Sequence, residues 1–186
     1  MGKRYEIRLA GSGGQGLVLG GVILAEAAII EGKNATQTQS YGPESRGGAS
    51  KSEIILSDED IDYPKCTKLD CMLVMTEAAA EKYFKDAPDG ALVVADEDLV
   101  PTEIPSRLRG IKAPISRLAR EVVGREFVAN IVALSIISEL TGVVKAESLE
   151  QAVLSRVPKG TEELNRKALE VGREAARERG KDILAH

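Results

Sequence analysis

The segment Gly11-Ser12-Gly13-Gly14-Gln15-Gly16 constrains the fold more than any other stretch of the chain. It directly follows the apolar run Tyr5–Ala10. It precedes Leu17, Leu19, Val22, Ile23, Ala27 and Ile30, which recur at helical spacing. A strand that passes through glycines straight into a helix opens an α/β fold. The glycines let the backbone turn sharply and approach another surface closely. The helix is expected from about Gly14 to Glu31, with Gly32 ending it. Within it Gly20 and Gly21 each cost about 1 kcal/mol against alanine, which points to close packing on the sheet or on another chain.

Further elements are legible from pattern. Asn34–Tyr41 reads as a weak strand and Ser50–Leu56 as a stronger one, closed by the acidic turn Ser57–Asp62. Cys71–Met75 and Ala91–Ala95 are continuous apolar runs, the signature of strands covered on both faces. Between them Thr76 caps a helix from Glu77 to about Lys85, and Asp89-Gly90 makes a turn. Ile111–Pro114 adds a short last strand. The remaining third is helical. Ser116 is expected to cap a short helix to about Val123, and a longer one runs from about Glu126 to Leu140 until Thr141-Gly142 stops it. Ser148 and Gln151 have capping-box spacing at the next helix. Thr161 begins the last, where Leu164, Ala168, Val171 and Ala175 form the apolar stripe and Glu162–Arg166 and Glu163–Lys167 the i,i+4 pairs. The expected fold is α/β: a three-layer α/β/α sandwich with a mostly parallel sheet and a helical C-terminal third, one domain over residues 1–186.

Composition removes several functions. Net charge is −4 and aromatics make up 3% with no Trp, which disfavours a nucleic-acid surface. Leu17–Ile30 is too short and too interrupted to span a bilayer, and no cleavable leader is legible, so a cytoplasmic chain is expected. The single histidine is the terminal His186, so no His-based triad or His-ligated metal site can form. Cys66 and Cys71 lack C-x-x-C spacing and further ligands, and read as ordinary thiols. Asp58, Glu59, Asp60, Asp62, Glu97 and Asp98 read as solvated turns.

Gly11-x-Gly13-x-x-Gly16 satisfies a dinucleotide fingerprint, but the acid due at the end of the second strand is missing: Gln37-Thr38-Gln39-Ser40-Tyr41 stands there. A phosphate or carboxylate could still meet the helix N-terminus, or the glycines serve only a tight turn and a subunit contact. A P-loop is excluded, because Leu17 and Val18 replace its Lys and Ser/Thr. A second cluster, Tyr41-Gly42-Pro43-Glu44-Ser45-Arg46-Gly47-Gly48, sets one arginine among residues chosen for backbone freedom. Arg46 either presents its planar fork to a carboxylate or holds the loop through an internal ion pair. Asn130, inside an apolar helix, needs a hydrogen-bond partner, either a core group or a glycine loop.

The two clusters in this order and spacing, GxGGQG after a strand and then YGxExRGG, resemble the gamma subunit of 2-oxoacid:ferredoxin oxidoreductases. The resemblance extends over nearly the whole chain and includes the late helix with Asn130. It implies the three-layer fold and a subunit of an enzyme that oxidatively decarboxylates a 2-oxoacid to an acyl-CoA. Thiamine diphosphate, iron–sulfur clusters, Mg and CoA are then expected in partner alpha, beta and, where there is one, delta chains, with ferredoxin reached through the complex. The chain itself shows no thiamine signature and no cluster cysteines, so no catalytic, metal or cofactor role is assigned within it. Gly11, Gly13, Gly14, Gln15, Gly16, Tyr41, Gly42, Pro43, Glu44, Arg46, Gly47, Gly48 and Asn130 are its candidate interface or anion-binding residues. Homodimer contacts stay open. An unfused chain points to 2-oxoglutarate ahead of pyruvate, branched-chain and aryl 2-oxoacids. The alternatives are a free-standing dinucleotide-binding oxidoreductase and a small-anion module.

Overall fold

The computed structural model describes residues 4–40 and 48–184. Six strands, β1 (Arg4–Ser12), β2 (Asn34–Ser40), β3 (Ala49–Ser57), β4 (Cys71–Val74), β5 (Leu92–Asp96) and β6 (Arg109–Ala113), form one sheet in the order β2-β3-β1-β4-β5-β6. β1, β4, β5 and β6 run parallel, whereas β3 pairs antiparallel with both β1 and β2.

The strands alternate between two cores, as the period of two requires. Ile7 and Leu9 of β1, Cys71 and Leu73 of β4, and Leu92 and Val94 of β5 face one helical layer. That layer comprises α1 (Leu17–Ile30), α4 (Ala129–Thr141), α5 (Ala146–Arg156) and α6 (Glu162–Arg179). Met72 and Val74, with Val93 and Ala95, face the other side. There α2 (Glu77–Tyr83) and the 3-10 turn Phe84–Asp86 supply Ala79, Ala80, Tyr83 and Phe84. β4 and β5 are apolar throughout because both their faces are covered. Short helices α3 (Ile115–Arg117) and α7 (Lys181–Leu184) complete the chain, and a π-helical turn, Leu118–Val123, continues α3. The three layers, the mostly parallel sheet and the helical C-terminal third are those expected.

Local differences have physical causes. α1 begins at Leu17 rather than Gly14, because Gly14 and Gly16 sit at φ 89° and 70°, in the left-handed region that ends a turn rather than continues a helix. Gly21 is the glycine of α1 that packs closely on the sheet: a Cβ there would run into the Ser52 hydroxyl and the Gln37 side chain. Gly20 has only ordinary contacts with Leu9 and Leu134. α2 is shorter than expected, tightening into the 3-10 turn, and a second 3-10 turn, Glu126–Val128, precedes α4. Thr76 does cap α2, accepting from the Ala79 amide.

Two expected caps are replaced by carboxylates from elsewhere. α3 starts behind Pro114, so Ser116 lies inside it; the Ser116 amide donates to Asp96 Oδ2 at 2.7 Å. α5 starts at Ala146, so Ser148 lies in its first turn, and Glu31, at the end of α1, accepts from the Lys145 amide at 2.5 Å. Burial works upward on the Glu31 carboxyl. Hydrogen bonds from the Lys145 amide, Ser148 and Lys33, with the Lys33 charge, outweigh it and hold the group below the ordinary value of 4.5. A carboxyl lowered in the folded state contributes stability above its unfolded value and loses it as pH falls through the folded one. Glu31→Gln is therefore expected to lower unfolding free energy by about 1 kcal/mol at pH 7. Urea titrations should show that gap closing as pH falls below the ordinary carboxylate range.

On α6 the expected pairs re-sort. Arg166 meets Glu163 at 2.5 Å and Glu150 of α5 at 3.0 Å, while Glu162 accepts from the Gly160 amide. Glu97 and Asp98 are no free solvated turn either: Arg117 pairs with both, and Arg179 reaches Glu97 at 3.3 Å.

Candidate functional site

The carboxyl ends of β1 and β4 form the point where the chain leaves the sheet in opposite directions, towards β2 and β3 on one side and β5 and β6 on the other. Ligand and partner sites of open α/β sheets concentrate at such a point. An open cleft of about 180 Å³ lies there, lined by Gly14, Gln15, Met75, Ser116, Glu126, Phe127 and Ala129. The glycine turn, the exit of β4 and the starts of α3 and α4 thus share one rim.

The turn is held from within. Gln15 folds back so that its Oε1 accepts from the Ser12 amide at 2.9 Å, while its Nε2 donates to the Met75 carbonyl at 3.2 Å. Gly11 is small because the Gln15 amide, Leu17 and Met75 fill the space beside it. From the other side Asn130 Nδ2 donates to the Gly16 carbonyl at 3.1 Å, and its Oδ1 accepts from the Ile131 amide at 2.9 Å. A Cβ on Gly16 would stand 2.5 Å from that Nδ2. Gly13 and Gly14 have open space around them and are exposed.

The residues that flank the second motif lie at the same edge. Ala49 pairs with Ser12 and Ser50 with Gly11, and Ser40 pairs with Lys51. Gly48 is half-buried. Tyr41, Gly42, Pro43, Glu44, Arg46 and Gly47 lie outside the described residues, and the role of Arg46 with them.

The fingerprint reading does not fit this geometry. β3 lies between β1 and β2, so the end of β2 is one strand further from the glycine turn than a ribose-binding acid needs. It carries Thr38, Gln39 and Ser40. The Gln15 side-chain Oε1 also takes the Ser12 amide. An iron–sulfur cluster does not fit either: Cys71 faces the α1 side of the sheet and Cys66 packs against the α2 side. Burial first, with nearby carboxylates, pushes both thiols up to about 12, far from the thiolate a cluster requires. Among the described residues no three His, Cys, Asp or Glu side chains are placed to hold a metal ion, and no helix is long and apolar enough to cross a membrane.

One residue behind the rim and one on it escaped sequence reasoning. Asp96 is fully buried and accepts from the amides of Asp98, Leu99 and Ser116; its one signal was an acid closing an apolar strand. Phe127, 66% exposed beside the glycine turn, read only as part of a helix.

Comparison with known proteins decides the family. The pyruvate ferredoxin/flavodoxin oxidoreductase family matches residues 6–175. The chain belongs to that family. Within it, the 2-oxoglutarate synthase subunit KorC of Methanocaldococcus jannaschii is 50% identical over 94% of this chain and 95% of that one. The ketoisovalerate oxidoreductase subunit VorA of Methanothermobacter thermautotrophicus is 30% identical, and there this chain spans 36% of the relative's length. The gamma subunit of a keto/oxoacid ferredoxin oxidoreductase from Geobacter sulfurreducens has the same fold, with a TM-score of 0.85 and 51% identity over 94% of this chain and 99% of that one. This is a gamma-type chain of the family, and the free-standing dinucleotide enzyme is not favoured.

Proposed function

We propose that this chain is the gamma subunit of a cytoplasmic 2-oxoglutarate:ferredoxin oxidoreductase, acting as one domain that assembles and positions the catalytic subunits. The observation that carries the substrate is the contrast in identity. It is 50% to a 2-oxoglutarate synthase subunit along both chains but 30% to a ketoisovalerate subunit and 29% to a pyruvate/ketoisovalerate gamma subunit from Thermococcus litoralis. In this reading the 2-oxoacid loses CO2 and two electrons, the acyl group passes to CoA and the electrons to ferredoxin. Thiamine diphosphate with Mg, and iron–sulfur clusters, supply that chemistry from the alpha, beta and delta chains. The gamma chain contributes the edge bearing the glycine turn and the flanks of the second motif. Its exposed Gly13 and Gly14 allow another backbone to come close.

The test is anaerobic affinity purification of the tagged chain from its native host, with mass spectrometry and assay against a panel of 2-oxoacids using a viologen acceptor. Recovery of thiamine-type and ferredoxin-type subunits, with 2-oxoglutarate turned over at least about tenfold better than pyruvate, is expected. A colourless chain recovered alone rejects the subunit role; a preference for another 2-oxoacid rejects the substrate.

A further inference from the structure

We propose, on the footing of that subunit role, that Gln15 and Asn130 are positioning residues that set the shape of the docking edge before any partner arrives. Each uses both ends of its carboxamide inside the molecule. Gln15 ties the turn to its own start at Ser12 and to the exit of β4, 60 residues on; Asn130 ties the turn's last residue to the first turn of α4, 114 residues away. The turn is thereby pinned at Ser12, Gln15 and Gly16, and between the pins only Gly13 and Gly14 are exposed. Asn130 is 6% exposed, so its effect on a partner passes through the turn.

The glycines explain why such pins are needed. Gly13, Gly14 and Gly16 would leave a free turn with many conformations, and ordering it on contact would weaken association. The two carboxamides remove that freedom in advance. Glycine at 11 and 16 is what lets them reach the backbone, since a Cβ at either position would occupy the space of Gln15 or Asn130. The sequence therefore combines a permissive turn with two distant side chains that select one of its shapes.

The isosteric changes Gln15→Glu and Asn130→Asp keep size and acceptor but delete the donor to Met75 and to Gly16. The tagged gamma variants are compared with wild type in the intact complex, by equilibrium binding to the co-purified catalytic subunits and by turnover as gamma chain is added. Ser138→Ala serves as a control, because it removes a buried α4 hydroxyl bond to Val144 remote from the turn. Both carboxamide variants should keep native circular dichroism and bind about 10- to 100-fold more weakly. Full turnover should return at saturating gamma chain, with Ser138→Ala binding like wild type. Wild-type affinity in both variants overturns the proposal. So does an equal loss in the control, which would make the effect one of stability alone, or turnover that stays low at saturation. Should wild type itself bind no catalytic subunit, the subunit role fails with it, and that failure is visible before any variant is read.

Discussion

Asp96→Ala is expected to destabilise the chain by about 3 kcal/mol, which for a domain of this size is about 6–12 °C in melting temperature. The carboxylate is fully buried, with Oδ1 accepting from the amides of Asp98 and Leu99 at 2.9 and 3.1 Å and Oδ2 from that of Ser116 at 2.7 Å. Alanine would strand three amides that have no other acceptor of that quality, and hydrogen bonds to a charged acceptor are the stronger class. The loss should be seen first where Ser116 borders the cleft, as faster amide exchange at the start of α3. Asp98→Ala is the contrast: its ion pair with Arg117 spans 3.5 Å between partly exposed side chains, and its removal should cost less than about 1 kcal/mol. Equal effects from the two variants would mean that the buried cap is not what holds β5 to α3.

Gly172→Val should destabilise the chain by about 3 kcal/mol or more, measured by urea or thermal denaturation. Gly172 is where α6 crosses α4. A Cβ there would stand 2.5 Å from the Val132 carbonyl oxygen and 2.7 Å from the Ser135 Cβ. The first obstacle is backbone, so no rotamer can relieve it, and the helices must separate along their apolar contact of Ile136, Val132, Leu169 and Ala176. Gly172→Ala sets two effects against each other: about 1 kcal/mol of helix propensity gained against the same first contact. The steric effect is expected to win. A more stable alanine variant would show that α4 and α6 can move apart at little cost.

The elements were legible in the sequence wherever the signal was local. Continuous apolar runs gave β4 and β5, the 3.6-residue repeat gave α1 and α6, and Thr76 marked the start of α2. What escaped depended on partners far away in the chain. Ser116 and Ser148 have the composition of caps, yet the acceptors come from Asp96, 20 residues earlier, and Glu31, 114 residues before Lys145. No local pattern can hold that information. The same limit applied to the site. The glycine clusters announced a turn, but the fold-back of Gln15 and the reach of Asn130 to Gly16 depend on tertiary placement. The pairing of Arg166 with Glu150 rather than Glu162 has the same origin, since α5 brings a competing carboxylate.

The place of β3 between β1 and β2 bears on how the chain comes together during synthesis. In an ordinary parallel crossover the first strand, helix and second strand close on themselves as soon as they are made. Here that closure would leave a gap one strand wide, because β1 meets β3 along its whole length, from Arg4 opposite Ser57 to Ser12 opposite Ala49. A nascent chain that ends before Ser57 therefore lacks the strand that both β1 and β2 require, and its glycine turn has neither Met75 nor Asn130 to hold it. The contacts that fix the glycine turn are therefore complete only once the chain has been made as far as Asn130, although the turn itself is among the first residues to emerge.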